Sequence, residues 1–396
     1  MLVSGAGSLW TNSSSLYLGR FGSSNQLSIL DGGKVVDTVG MIGYYASSSS
    51  NTVLVSGAGS LWSNRTLYVG AYGSSNLLSI LNGGVVANGG GYIGRYASSS
   101  NNTVLVSGAG SLWTNSALYV GYSGSFHRLS IADSGSVRAT NVIMGVGEST
   151  GNAINVSGGS LLVTNASANG WMEVRRGTLT LNSGTITTDS LIATNGAASV
   201  VSFNGGLLQS GGTTISNGVP FTVGDGTSAA TLDLLGGTHI FADGLMISTN
   251  SSLIGNGGIF GGVTNFNIIA PGHSVGAIDI TGGLTLMDTS ELDMEIAGTG
   301  SNDQLDISGL LKAGGWLNVT FINSYTGNVG DTFGLLNFGS LDGAFSQTNL
   351  PALGSGLSWN TSKLYTQGEI FIVPEPGAWA LTLVGAGALW LRRRRR

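Results

Sequence analysis

The strongest constraint on the fold is an eight-residue segment, VSGAGSLW, that occurs three times. It occupies residues 3–10, 55–62 and 106–113, at spacings of 52 and then 51 residues. A unit that recurs at a fixed period, with apolar residues along one edge, cannot bury that edge alone, so neighbouring units must stack on one another. The repeat therefore predicts a solenoid.

A shorter period lies within the long one. Each half of the long repeat contains three short strands of period 2, such as residues 78–80 and 104–106, separated by turn-forming Gly, Ser and Asn. We therefore predict an all-β fold, a right-handed parallel β-helix with one coil per roughly 25 residues and about ten coils in the first 260 residues. The glycines that mark successive coils are separated by 24 or 27 residues: Gly19, Gly43, Gly70, Gly94, Gly121 and Gly145.

Runs of serine and asparagine recur at one place in every second coil. They occupy residues 47–51 and 98–102. Poly-serine is also typical of disordered linkers, but recurrence in register favours an ordered polar ladder along one corner of the rod.

Composition excludes two classes of protein. Hydrophobic residues make up 41% of the chain and charged residues 9%, whereas a disordered chain lacks the apolar surface that would offset its ordering entropy. The formal charge is −5, and without the five terminal arginines residues 1–391 hold 10 basic and 20 acidic groups, or −10. Nucleic acid is therefore not expected as a partner. Cysteine is absent, which excludes disulfides and thiolate metal sites.

Changes in pattern divide the chain into three regions. Residues 1–276 are predicted to form the repetitive β-helix. Residues 277–372 include SELDMEI at positions 290–296, an alternation typical of a strand that is wet on one face. We expect this region to be mostly antiparallel and to cap the open end of the rod, since an uncapped edge pairs with other chains. Residues 373–396 form a separate tail.

The sequence at the N-terminus matches the interior of a repeat. Met1 stands where Val53 and Val104 stand in the later copies, without a charged and apolar leader of secretory type before the repeat. We expect the β-helix to be incomplete at this end, with further coils and an export signal encoded upstream. A leaderless protein is the alternative.

The tail consists of a short motif, an apolar segment at residues 377–391 and a run of arginines. As a helix, fifteen residues span about 22 Å, less than the ~30 Å hydrocarbon core of a bilayer. Terminal arginines favour the cytoplasmic side and act as a topological stop. We therefore predict a short transmembrane helix, because the alternative, a buried helix of a soluble protein, would have to accommodate five adjacent charges. The motif is Val373, Pro374, Glu375 and Pro376, and the stop is Arg392, Arg393, Arg394, Arg395 and Arg396.

At these residues the chain resembles the PEP-CTERM proteins of Gram-negative bacteria. The VPEP motif, the apolar run and the arginine cluster all match, over residues 373–396. The resemblance implies a sorting signal recognised by an exosortase-type membrane protease. It also implies a location in the cell envelope, at the cell surface or outside the cell, with a single membrane pass before processing.

The rest of the chain is similar to the passenger β-helices of autotransporter-type proteins. Residues 270–276, APGHSVG, resemble a Pro-Gly-x-Ser-Pro-Gly element often found near the ends of such passengers. Val275 stands in place of the second proline. This resemblance is less specific than the resemblance of the tail to PEP-CTERM proteins.

The residues that most often carry catalysis or bind metal are scattered. His127, His239 and His273 lie far apart in sequence and are predicted to be structural. Hard oxygen ligands can bind Ca²⁺, but the densest acidic patch contains an alternating strand whose acids simply occupy its outer face. We therefore predict no metal site and no cofactor. The acidic patch comprises Asp288, Glu291, Asp293, Glu295, Asp303 and Asp306.

Aromatic residues also recur with the long period. Tyr17, Tyr68 and Tyr119 are 51 residues apart, and Trp10, Trp62 and Trp113 recur within a residue of that spacing. An aromatic ladder can bind glycans through ring faces. The other interpretation, which we favour, is that these rings fill coil corners.

These observations predict a structural or adhesive protein rather than an enzyme. The rod would display repeated Ser, Asn and Tyr faces toward matrix, an extracellular polysaccharide or another cell. The alternative is a carbohydrate-active or glycan-binding β-helix. Turnover would require two or three acidic residues together with Arg or Lys in one groove.

Overall fold

The computed structural model describes residues 1–375 and shows an all-β chain. About 13 turns of a parallel β-solenoid account for nearly all of it. In this part of the chain the only helical segments are a four-residue helix, α1, and a 3-10 turn at Gly196–Ala198. The prediction of a parallel β-helix is confirmed, while its right-handed winding stays a prediction.

The strict repeats form three parallel faces. Face A consists of β1, β4, β7, β9, β11 and β13; face B consists of β2, β5 and the first halves of β8, β10, β12 and β14; face C consists of β3, β6 and the second halves of those long strands. The bounds are β1 Leu2–Ser4, β2 Leu9–Thr11, β3 Ser15–Leu18, β4 Gln26–Leu30, β5 Lys34–Val36, β6 Val39–Ile42, β7 Thr52–Ser56, β8 Leu61–Val69, β9 Leu77–Leu81, β10 Val85–Ile93, β11 Thr103–Ser107, β12 Leu112–Val120, β13 Arg128–Ala132 and β14 Ser136–Met144.

The looser repeats continue the same stack. Alternate residues point inward, so that Ile154 and Val156 are buried while the residues beside them are partly exposed. The bounds are β15 Ala153–Val163, β16 Trp171–Val174, β17 Gly177–Thr188, β18 Ser190–Ala193, β19 Ser199–Phe203, β20 Gly206–Ser210, β21 Thr213–Ile215, β22 Phe221–Val223, β23 Ala230–Phe241, β24 Leu245–Ile247, β25 Ser251–Phe260, β26 Val263–Asn265 and β27 Ile268–Pro271.

The solenoid does not stop at residue 276. The remaining elements are β28 Ala277–Thr281, β29 Leu284–Leu286, β30 Glu291–Gly298, β31 Ser301–Asn302, β32 Gln304–Ala313, β33 Trp316–Phe321, β34 Thr332–Gly334, β35 Leu336–Gly343, β36 Gln347–Asn349, β37 Leu357–Asn360, α1 Leu364–Gln367 and β38 Glu369–Pro374. Strand β28 pairs parallel with β32, β30 with β33, and β33 with β36.

The prediction that residues 277–372 are mostly antiparallel is therefore wrong. Apart from the short hairpin of β30 and β31, antiparallel pairing in this region is confined to the three-stranded sheet β34–β38–β37. An alternation such as SELDMEI shows that one face of a strand contacts water. The same alternation occurs in parallel and antiparallel strands, so it does not predict the strand direction.

The periodic glycines do lie above one another. The amide of Gly94 donates to the carbonyl of Val69 at 3.0 Å, and the amide of Gly121 donates to that of Ile93 at 2.8 Å. A side chain cannot replace the hydrogen at these positions. A Cβ on Gly70 would lie 2.0 Å from Nδ2 of Asn102, so the glycine period is imposed by the side chain beneath it.

That side chain belongs to a buried ladder along one corner. Nδ2 of Asn51 donates to Oδ1 of Asn76 at 2.9 Å, and the backbone amide of Asn51 donates to the same oxygen at 3.0 Å. Asn76 repeats both bonds to Asn102. The predicted ordered corner is confirmed, because these asparagines close the Ser/Asn runs and satisfy turn amides that would otherwise be buried without partners. The ladder begins at the exposed Asn25 and continues through the buried Asn51, Asn76, Asn102, His127 and Asn152.

The two-coil period has a separate cause in the packing of tryptophan. Trp62 and Trp113 point inward from face B and are fully buried. A Cβ on Gly40 would lie 2.6 Å from the Trp62 ring, and one on Gly91 would lie 3.0 Å from the Trp113 ring. Coils with tryptophan therefore alternate with coils that leave space for it, and the repeat unit is two coils rather than one.

His127 interrupts the asparagine ladder and should make the rod sensitive to acid. Burial lowers the pKa of His127 to about 4 from 6.5. Between these values the unfolded chain binds a proton that the folded chain does not, so stability falls as the pH falls from 6.5 to 4. The substitution H127N restores an amide like Asn102.

We expect H127N to differ little from the wild type at pH 7 and to be more stable by up to about 3 kcal/mol at pH 4. Urea unfolding at both pH values measures the difference. His239, also buried, is present in both proteins and cancels. Equal acid sensitivity of the two proteins would contradict the assignment.

Candidate functional site

A column of outward tyrosines lies on face C. Tyr17 is opposite Met41, Met41 is opposite Tyr68, Tyr68 is opposite Tyr92, and Tyr92 is opposite Tyr119. The structure thus brings the three predicted tyrosines into one column. It adds Tyr92, which a 51-residue spacing misses because this residue belongs to the other coil of each pair.

The stacking of these rings decides what they can bind. The ring centroids of Tyr68 and Tyr92 are 5.0 Å apart with an interplanar angle of 17°, and those of Tyr92 and Tyr119 are 4.7 Å apart with an angle of 6°. Both faces of the Tyr92 ring are therefore covered by its neighbours. A sugar stacks on a ring face, so the middle of this column offers ring edges and hydroxyls instead.

The recurrent tryptophans point into the coils from face B, whereas the recurrent tyrosines point outward from face C. Trp62 and Trp113 are core residues, and their indole nitrogens donate to Asp37 at 2.6 Å and to Asn88 at 2.9 Å. The tyrosines face outward and are partly exposed, with Tyr17 at 37%. They line the outside of the rod.

A second aromatic row follows directly after the strands of face C. Phe21 stacks on Tyr45 at 4.6 Å, and Tyr72 stacks on Tyr96 at 4.0 Å, measured between ring centroids. Tyr45 and Tyr96 are about two-fifths exposed. We name the two rows together the tyrosine surface: Tyr17, Phe21, Tyr44, Tyr45, Tyr68, Tyr72, Tyr92, Tyr96, Tyr119 and Tyr122.

Arginine side chains lie against the tyrosine surface. The guanidinium carbon of Arg95 is 3.9 Å from the centroid of Tyr122, 4.9 Å from that of Tyr92 and 5.5 Å from that of Tyr96. Arg20 contacts Tyr17 in the same way at 5.3 Å. Cation–π contacts of this kind stabilise the stack, and sequence spacing alone could not have identified Arg95.

Buried carboxyls are engaged in structure rather than in a reactive site. Asp37 lies inside the rod beside Trp62, and burial, although opposed by the indole hydrogen bond, raises its pKa to about 6. Asp303 accepts the backbone amides of Gly276 at 2.7 Å and Glu295 at 2.7 Å, and burial raises its pKa to about 6. Each carboxyl accepts a hydrogen bond from a neighbouring coil, Asp37 from Trp62 and Asp303 from Gly276.

Part of the predicted acidic patch lines a groove of about 430 Å³. Nδ2 of Asn318 donates to both Glu291 at 2.9 Å and Asp293 at 2.8 Å, so that one amide bridges the two carboxylates. Glu295 and Asp303 also line the groove, whereas Lys and Arg do not. The arrangement that the enzyme interpretation requires is therefore missing from this groove. Within residues 1–375 no group of three or more His, Asp or Glu side chains has metal-binding geometry.

The three histidines occupy separate places. His127 belongs to the asparagine ladder, and His239 is buried with Nδ1 3.1 Å from the hydroxyl of Thr213. His273 is about half exposed, with Nε2 2.9 Å from Oδ1 of the buried Asp233. The structure does not bring them together.

The beginning of the predicted tail lies in the small antiparallel sheet. Val373 is opposite Ser358 and Pro374 is opposite Leu357, and the amide of Glu375 donates to the carbonyl of Gly356 at 2.9 Å. Pro374 and Glu375 are exposed. In the described part of the chain no helix has the length and apolarity needed to span a bilayer. Pro376, the predicted membrane segment at 377–391 and the five arginines lie outside the described residues.

Comparison with known proteins gives no assignment. No model of a known protein family matches the chain, and no curated protein matches it.

The middle tyrosine should contribute most to the stack. We expect Y92L to lower the free energy of unfolding by about 1–2 kcal/mol, because it uncovers two ring faces and removes one contact of Arg95. Urea unfolding measures this. Y365L is the control, since Tyr365 is exposed and its ring is only tilted against Phe345, with centroids 6.2 Å apart; its loss should stay below about 0.5 kcal/mol. Equal losses would contradict a stabilising stack.

Proposed function

We propose that the chain is an exported structural or adhesive β-solenoid of the Gram-negative cell envelope, displayed at the cell surface or in the extracellular matrix. The observation that carries the proposal is the rod itself. About 13 turns at a strand spacing of about 4.8 Å give a length of about 60 Å. Such a body repeats the same outward positions on successive turns, as the tyrosine column shows.

The chemistry of the polar groups supports a structural role. The asparagines of the ladder, Asp37 and Asp303 are all engaged in hydrogen bonds that hold one turn to the next. The acidic groove around Glu291 has neither Lys nor Arg among its lining residues, and the His273 that lines it is paired with the buried Asp233. A carbohydrate-active enzyme is therefore the weaker alternative, and no catalytic residue or cofactor is proposed.

The proposal includes the finer features of the fold. The winding is right-handed, and the small sheet β34–β38–β37 caps the end of the rod. Support for the cap comes from Phe333 and Ile370, which are fully buried beneath paired strands instead of leaving an open edge. The proposal also retains the short transmembrane helix expected from the sequence at 377–391, which lies outside the described residues.

The tail is proposed to be the sorting signal for an exosortase-type membrane protease. Val373, Pro374, Glu375 and Pro376 are the recognised motif, and the arginines at 392–396 are the topological stop. Support comes from the place where β38 ends, since Pro374 and Glu375 are exposed at the surface of the cap. A protease at the membrane could reach the chain there without unfolding the rod.

A second candidate function is glycan binding without turnover. The tyrosine surface favours it, because aromatic rings and Arg20 are exposed along one side of the rod, with Arg95 half-buried among them. Tyr17, Tyr68 and Tyr119 would contribute hydroxyls and ring edges to an extracellular polysaccharide.

The tail proposal is tested in a Gram-negative host that encodes an exosortase. We expect the full-length chain to be recovered outside the cytosol with an intact mass that lacks residues 392–396, and the double variant P374A/P376A to stay unprocessed. P351A is the matched control and should be processed like the wild type. Recovery of an exported chain that retains Arg396 would contradict processing, and a cytosolic full-length chain would contradict export.

A further inference from the structure

A surface depression lies on face C beyond the tyrosine column. It has a volume of about 540 Å³ and is formed by the outward side chains of β16 and β18 and the residues beside them. This volume lies within the range of small-molecule sites. Its main lining residues are Asn169, Trp171, Glu173, Arg175, Ser190 and Ile192.

Trp171 differs from the other aromatics of face C in its neighbours. The residues opposite it in the adjacent coils are Asn141 and Ser190, which are small and polar. Within residues 1–375 it forms no aromatic pair, whereas Tyr92 is sandwiched between two rings. The indole is partly exposed in the depression. An apolar ring is therefore available to a ligand here and not in the middle of the tyrosine stack.

Charged hydrogen-bonding groups stand beside the indole. Arg175 Nη2 lies 2.8 Å from Oε2 of Glu173, and the side chains are 45% and 22% exposed. Each therefore has hydrogen-bonding capacity left for a ligand. An indole next to a carboxylate and a guanidinium matches a pyranose ring, which has an apolar C–H face and hydroxyls at its rim.

Hydrogen bonds between side chains and the backbone hold the borders of the depression in place. Oδ2 of Asp189 accepts the backbone amides of Asn165 at 3.1 Å and Gly170 at 2.8 Å, which fixes the loop before Trp171. Nδ2 of Asn195 donates to the carbonyl of Arg175 at 2.9 Å. The site is thus formed before a ligand arrives, which lowers the entropic cost of binding.

We propose that this depression binds a pyranose unit of an extracellular polysaccharide, with the C–H face on Trp171 and the hydroxyls on Glu173 and Arg175. The proposal deepens the adhesive function and rests on it, because that function places the rod among extracellular glycans. Glu173 shares the tyrosine column with Tyr119, two coils away through Ile143. A chain bound along the rod axis would continue onto the tyrosine surface.

Affinity electrophoresis of the purified full chain tests the site. The gels contain dextran, hydroxyethyl cellulose, xylan or alginate. We expect at least one to retard the wild type, W171A to weaken that binding by about tenfold, and E173Q to weaken it severalfold with the indole intact. W316A is the matched control, because Trp316 is also an exposed tryptophan on a strand of the solenoid. This variant should bind like the wild type.

Unfolding in urea confirms that each variant is folded before it is compared. No retardation in any of the four gels would overturn the proposal, as would equal binding by W171A or an equal loss in W316A. Because the assay uses purified protein, it does not depend on export. Failure of glycan binding is therefore distinguishable from failure of the sorting proposal.

Discussion

The hydrogen bond from one buried asparagine to the next is the interaction on which the rod depends. A solenoid must turn at each corner. The turns bury backbone amides that the parallel strands of the faces cannot pair with. Here a single side-chain oxygen accepts both the amide of the turn and the side chain of the preceding asparagine, as at Asn76. Each coil is completed by the one that follows, so no coil is stable alone.

Steric contacts in the ladder and in the core explain which parts of the fold could be predicted from the sequence. The glycine period predicts the coil length because a Cβ at Gly70 or Gly121 would collide with the asparagine of the next coil. The two-coil period follows from Trp62 and Gly40, which share one volume. Both are steric requirements, and steric requirements recur as identical residues at fixed spacing.

Other features could not be predicted, for equally physical reasons. The parallel pairing of β30 with β33 has no counterpart in composition, because polar residues alternate with apolar ones in either strand direction. The interleaved Tyr92 was missed since it follows the shorter period. Trp171 occurs once, in a coil of the looser repeats, so neither period predicts a role for it. Only the structure, which places Glu173 and Arg175 beside it, indicates a binding site.

The interior of the rod is committed to stacking and its surfaces are free to carry function, and both depend on the vertical register of the coils. Because the chain has no cysteine, spin labels on S63C and T187C would be the only ones present. Five rungs separate these positions through Ala87, Thr114, Arg138 and Leu162. Double electron–electron resonance should give one narrow distribution, centred near the roughly 24 Å between the two backbone positions. A broad distribution, or a mean far beyond that value, would contradict the stack.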